Sequence, residues 1–273
     1  MVEAAFISKN GVFVPTELAG SPWGREVLHG GPPAGLLARA IEQSKPAPGM
    51  FVARLTVDLF RAVPMAPLEV TTRVVREGRR IQVVAASLLA AGVEVTRATA
   101  LMLQPSQVQL PHRALLDGSP LRGPGGIETT SLSGLPIPEG FTGFHTTVEV
   151  RHVSGGAAGG PSTAWIRIPC DLVAGEEMSP LVRVAATSDF GNGLSHISAA
   201  EGMGFINTDI TLYLHRQAVG EWICLEANSG AHTYGIGMIE TVIHDERRPI
   251  GRAVQALLAN RRSGPAGGSP PPG

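Results

Sequence analysis

Residues 52–103 and 207–258 follow one pattern, the second copy lying 155 positions after the first. Leu55, Val57 and Leu59 fall opposite Ile210, Leu212 and Leu214, and Ile81 and Val83 fall opposite Ile236 and Met238. Arg61 meets Arg216, and Arg97-Ala98 meets Arg252-Ala253, with no net insertion. Few residues are identical, so the warrant is shared order and spacing, the mark of a duplicated unit. Each copy alternates apolar and polar residues and is broken by Gly or charged turns, as in an antiparallel meander. In the first copy the spacing predicts strands over 52–61, 68–77, 82–91 and 94–103.

A helical segment precedes each meander. In HGGPPAGLLARAIEQS, residues 29–44, Leu36, Leu37, Ala40 and Ile41 recur at helical spacing. The second helix opens at Ser179-Pro180 and runs through SDFGNG, with 34–37 roughly opposite 189–192. Val14-Pro15 meets Ile168-Pro169 at an offset one residue smaller. Residues 6–15 read as a hairpin turning at Asn10-Gly11, and 146–153 and 162–172 as strands. Residues 104–144 are Pro-, Gly-, Ser- and Leu-rich and too long for an ordinary loop, which predicts a connection between two domains. The expected division is an N-terminal half over 1–104, a linker over 105–144, a C-terminal half over 145–262 and a disordered Gly/Pro/Ser-rich tail over 263–273. One helix wrapped by a long antiparallel sheet, twice over, is an α+β layout. It resembles the hot-dog fold, here as a double hot-dog.

Composition narrows function. The net charge is −1 with no basic block, so nucleic-acid binding has no electrostatic support. No apolar run approaches the ~20 residues of a membrane span, and the N-terminus carries no apolar core of a signal peptide; a soluble, cytoplasmic protein is expected. Cys170 and Cys224 lie in apolar runs and read as small buried thiols. No His/Cys spacing suggests a metal site, no Gly-x-Ser-x-Gly elbow suggests a serine hydrolase, and the Gly235–Gly237 GIG lacks a dinucleotide-binding context.

The polar departures between the copies suggest chemistry. Asp209 stands opposite Arg54, Gln255 opposite Ala100, and Ser229 opposite Val74. A polar set present in one copy predicts one site per chain, where the halves meet. A carboxylate can activate water as a general base. An amide and a hydroxyl can hold that water, and backbone N–H groups at a helix start can polarise a carbonyl. Gly30 and Gly31 would let a substrate approach the first helix. Plainer roles exist for each: Asp209 as an edge or turn residue, Gln255 satisfying backbone groups, Ser229 as turn chemistry. Asp189, in SDFGNG, reads as either a second polar site residue or a structural hydrogen-bonder in the second helix, with the structural role favoured. Arg216, with its counterpart Arg61, reads as part of the fold with some attraction for phosphates.

HGGPPAGLLARAIE, LTVDLFRAVP, SDFGNG, NTDITLYLHR and AVQALL, in this order, resemble the acyl-CoA thioesterase II family of double hot-dog enzymes, and the thioesterase-like branch found in actinobacteria most of all. The resemblance implies hydrolysis of acyl-CoA to a carboxylic acid and CoA without a cofactor. It implies catalytic roles for Asp209, Gln255 and Ser229, substrate contacts at Gly30 and Gly31, and a homodimer acting on acyl-CoA; His29, at the helix entry, reads as structural or as polarising a substrate group, and Arg216 is the candidate contact for the CoA phosphates, with no metal, nucleic acid or membrane expected. Two other functions fit such a fold: a hydratase or dehydratase, which needs an Asp-His or His-Glu pair that the sequence does not place, and a non-catalytic acyl-CoA binder.

Overall fold

The computed structural model describes residues 3–44, 47–116, 118, 120–132, 142–156, 160–197 and 203–261; the predicted tail lies outside them. A hairpin of β1 (Ala4–Lys9) and β2 (Val12–Pro15) opens the chain. Asn10 and Gly11 both take positive φ at its tip, +52° and +82°, as a two-residue hairpin turn of this hand requires. A small ribbon, β3 (Gly20–Ser21) and β4 (Gly24–Leu28), leads into α1 (Gly31–Gln43). The first meander follows as β5 (Phe51–Asp58), β6 (Leu68–Arg76), β7 (Ile81–Ala90) and β8 (Val93–Leu103).

The second half begins with α2 (Phe144–Thr147), a single helical turn where the alternation predicts strand. Then come β9 (Glu149–Ser154), β10 (Ser162–Arg167) and β11 (Asp171–Val173). The expected strand over 162–172 is therefore broken, and β11 leaves its own half to pair in parallel with β1. Two helices follow, α3 (Pro180–Ser188) and the short α4 (Gly191–Leu194). The second meander is β12 (Met203–Asn207), β13 (Asp209–Leu214), β14 (Ile223–Ala231), β15 (Ile236–His244) and β16 (Pro249–Arg261).

All strands except the β3–β4 ribbon join one sheet, in the order β11-β1-β2-β6-β7-β8-β5-β13-β16-β15-β14-β10-β9, with β12 also on β16. The halves meet at β5 and β13, which are antiparallel. There Thr56 pairs with Thr211, its own counterpart 155 residues on, and the two hydroxyls are 3.3 Å apart. An element paired with its own copy marks a local two-fold axis, so the duplication folds as two equivalent halves joined edge to edge. The joint also removes a free strand edge from each half.

The helices follow a different offset. α1 and α3 run antiparallel: Arg39 pairs with Glu176 and Glu42 with Ser179 near the end of α1, while Gly30 lies against Asp189 at its start. Equivalent helix starts are Gly31 and Pro180, so the expected alignment of 34–37 with 189–192 is displaced by two turns. The helices pack on the apolar inner sheet face through Leu36, Leu37, Ile41, Val182 and Val184, all buried. Gly35 permits close contact, since a Cβ there would stand 3.1–3.2 Å from Leu172 and Ala186.

Both meanders carry the same irregularity. Val52 pairs with Met102 but Arg54 with Leu101, leaving Ala53 as an extra residue. In the second copy Asn207 pairs with Leu257 and Thr211 with Val254, leaving one extra residue around Thr208. Such a bulge breaks the period-2 alternation. Upstream of it Val52 and Asn207 face the helices. Downstream, Leu55 and Val57, or Ile210 and Leu212, are the inward residues.

Candidate active site

The bulge decides which polar residues meet. With Ile210, Leu212 and Leu214 inward, Asp209 faces outward, alongside Thr211 and the exposed Tyr213. Its carboxylate accepts the Ala256 N–H at 2.7 Å and the Thr211 hydroxyl at 3.3 Å, tying the bulge around Thr208 to β16. Across the joint it faces Asp58, whose carboxyl burial and the Asp209 charge together raise above its usual value, with Arg97 opposing them. Asp209 therefore does not stand with the helix start.

Ser229, Ile239 and Gln255 occupy one row across β14, β15 and β16 and point inward. Ser229 is committed to Ser195, the residue closing α4: its N–H donates to Ser195 Oγ at 2.9 Å, and its hydroxyl donates to the Ser195 carbonyl. Gln255 is 1% exposed. Its Nε2 donates to the Ser188 carbonyl at 3.4 Å, and its Oε1 has no hydrogen-bond partner among the described residues. Gly191 is tied to this arrangement, because a Cβ there would come within 3.0 Å of Gln255 Oε1.

The carboxylate that does stand at the α1 start is Asp189, 8% exposed. Asn207 Nδ2 donates to its Oδ1 at 2.5 Å, and His29 Nδ1 lies 2.8 Å from its Oδ2. The Gly31 N–H points to the same place, 3.2 Å from His29 Nδ1 and within reach of the carboxylate. A protonated Nδ1 satisfies both contacts, donating to Asp189 and leaving the Gly31 N–H to the carboxylate. Burial opposes ionisation of Asp189. The charge and hydrogen bond of His29, the Asn207 amide and the Gly31 N–H outweigh it and hold the carboxyl below its ordinary range.

Gly30 and Gly31 are required by this crowding rather than by backbone conformation. A Cβ on Gly30 would lie 2.8 Å from Asp189 Oδ2, and one on Gly31 2.4 Å from the Ala186 carbonyl. The first turn of α1, from Gly31 to Ala34, does not offer the expected free N–H groups. Gly31 points its N–H at the His29–Asp189 pair, Pro32 and Pro33 have none, and Ala34 bonds to the Gly30 carbonyl at 3.1 Å. Arg216 lies elsewhere. Its guanidinium grips the fully buried Asp245 at 2.5 and 2.7 Å and also donates to the Arg248 carbonyl. It borders a cavity at the far end of the helix pair.

His29 and Asp189 open onto a pocket of about 230 Å³. Phe190, Phe205, Asn207 and His196 line it from the second half, Trp23 and His29 from the first, and Leu132 and His145 from the connecting stretch and α2. The His29 ring packs 4.7 Å from Phe190 and 5.5 Å from Phe144, and stacks on His145 at 6.4 Å. Burial, and then the neighbouring His29, push His145 down to about 4. The described residues hold no group of three or more His, Cys, Asp or Glu that could bind a metal ion. None of their helices is long and apolar enough to cross a membrane.

The sequence favours a structural role for Asp189 over that of a second polar site residue, and it does not single out Asn207. One signal was available: Asn207 stands opposite Val52 at the 155-residue offset, a polar departure of the same kind as Gln255 over Ala100.

A family model for the acyl-CoA thioesterase N-terminal domain matches residues 19–103, and one for the C-terminal domain matches 126–259. No curated protein matches the chain in sequence. Among solved structures, a chain from Novosphingobium aromaticivorans is 18% identical with a TM-score of 0.70, over 93% of this chain and 98% of that one. A hot-dog-fold protein from Alicyclobacillus acidocaldarius is 16% identical with a TM-score of 0.67, over 94% and 96%. The acyl-CoA thioesterase II TesB2 of Mycobacterium marinum is 14% identical with a TM-score of 0.62, over 93% and 95%. These likenesses show the double hot-dog fold.

Proposed function

Because the chain belongs to the acyl-CoA thioesterase family by both of its domains, we propose that it hydrolyses acyl-CoA thioesters with Asp189, rather than Asp209, as the base that activates water. The observation that carries this reading is the buried carboxylate of Asp189, held by His29 and Asn207 at the pocket, with Gln255 reaching the carbonyl of the adjacent Ser188 and its Oε1 without a partner among the described residues. Asp189 and Gln255 give a water two acceptors for its hydrogens, which leaves its lone pair for the thioester carbon. Attack forms the new C–O bond as the water proton passes to Asp189. Collapse breaks the C–S bond, and the proton returns to the departing CoA sulfur. Asn207 and His29 hold the carboxylate in place, and the His29 ring supplies positive character where the carbonyl oxygen gains charge. Gln255 takes the water-positioning role that the family resemblance implies. His29 lines the pocket, Gly30 and Gly31 pack against Asp189 and Ala186, and Ser229 holds the end of α4 through Ser195.

Thiol release from acyl-CoA tests this reading. Asp189→Asn is expected to lower kcat by about 10²–10⁴-fold, the usual contribution of a positioned base, with the protein still folded. An unchanged kcat excludes Asp189 as the base.

A second reading has one specific observation in its favour, the His29–Asp189 pair at 2.8 Å. A hot-dog hydratase or dehydratase needs such a pair to move a proton at carbon. Hydration of an enoyl thioester with no CoA released selects that reading.

A further inference from the structure

We propose that the cavity at the opposite end of the helix pair is a second, non-catalytic site that takes an aliphatic acyl chain. This rests on the reading of the Asp189 pocket as an acyl-thioester site, because the two cavities are counterparts. The antiparallel helices place a carboxylate from the end of one beside the start of the other at both ends. At the α1 start it is Asp189; at the α3 start it is Glu42, whose Oε2 accepts the Ser179 hydroxyl at 2.6 Å. The sheet obeys the same relation. Phe205 and Asn207 line the Asp189 pocket, and their counterparts Met50 and Val52 line the Glu42 cavity.

The chemistry is missing from the second cavity and the space is not. Val52 replaces the amide of Asn207, and Ala100 replaces Gln255. At the start of α3, Pro180 has no N–H, the Ser179 side chain accepts from the Val182 N–H at 3.2 Å, and the Arg183 N–H bonds to the Ser179 carbonyl. The amide pair that flanks Asp189, Asn207 and Gln255, has no counterpart in this cavity. The cavity nevertheless measures about 220 Å³, close to the catalytic pocket, and its walls are Met50, Phe51, Val52, Met102, Leu181 and Val184. A disused site in a protein core closes by side-chain repacking, because interiors favour close packing and cavities cost stability. A space of undiminished size, apolar along Met50, Val52, Met102, Leu181 and Val184 and polar only at the edge held by Glu42, Arg216 and Gln217, suits an alkyl chain whose polar end stays at that edge.

The chain could arrive as free acid or as CoA ester, and binding stoichiometry separates these. Octanoate and the uncleavable thioether S-octyl-CoA are titrated calorimetrically into the wild type, Leu181→Trp and Met50→Trp. The wild type is expected to bind two chains and each variant one, with kcat for thiol release within twofold of wild type. The ligand that loses a site in the variants is the natural form. One site in the wild type, unchanged in both variants, overturns the proposal. Failure of the thioesterase reading looks different: no thiol release and an unoccupied Asp189 pocket, with one bound chain still lost on Leu181→Trp. A variant with a lowered melting temperature is set aside for the other, which fills the cavity from the sheet side.

Discussion

At the bulge of the first meander the inward residue is Val52; at the same place in the second it is Asn207. Both copies keep the backbone irregularity, and the two-fold joint shows that they keep the same strand positions. The duplication therefore supplied two equivalent helix starts, and single side chains divide them: Asn207 and Gln255 at one end, Val52 and Ala100 at the other. The arginines tell the same story. Arg61 is exposed, while its counterpart Arg216 closes on Asp245, a position the first copy fills with Ala90. Equivalent backbone thus carries the proposed site and a buried ion pair in one half, and apolar or exposed counterparts in the other.

That comparison can be broken by substitution. The largest expected effect is on stability. Asp245 accepts Arg216 and the N–H groups of Val219, Arg247 and Arg248, so Asp245→Ala should cost about 3–5 kcal/mol in denaturant unfolding. Although its burial favours the neutral form, Arg216 and those N–H groups hold the Asp245 carboxyl down to about 2. Its contribution is then fully present above pH ~4, the ordinary aspartate range, and is lost as the pH falls toward 2, a slope absent from the variant. Next comes Asn207→Val, which writes the first copy into the second. It frees Asp189 from its amide partner, and kcat should fall by about 10²-fold, as misplacement of a catalytic group does. Ser229→Ala should cost about 1 kcal/mol by releasing Ser195, with kcat within a few fold; a kcat loss as large as that of Asn207→Val would restore Ser229 to the site. Arg61→Ala should change stability by less than about 0.5 kcal/mol.

Much of the fold is legible in the sequence. Alternation and turn residues locate the four strands of the first meander to within a few residues, and the 155-residue offset survives into the structure. The site was harder to read, for a local reason. Period-2 reasoning carried through Asn207-Thr208-Asp209 treats positions 207 and 209 as sharing a face, and the bulge at Thr208 puts them on opposite faces. Asp209 attracts attention because its counterpart is Arg54, and the structure shows its carboxylate on the outer face, accepting the Ala256 N–H. Asp189 belongs to a helix end, where no sheet alternation points to it, and only its approach to Gly30 and His29 reveals what it faces. The prolines that help mark α1 as a helix also remove the N–H groups that a bare helix start would offer.

The central claim is that the working carboxylate is on the helix and not on the strand. The direct measurement is acyl-CoA thiol release by Asp189→Asn and Asp209→Asn, side by side at equal folded concentration. Loss of kcat by at least about 10²-fold in the first, with the second within a few fold of wild type, is the predicted result. The reverse pattern, with Asp209→Asn inactive and Asp189→Asn active, contradicts it.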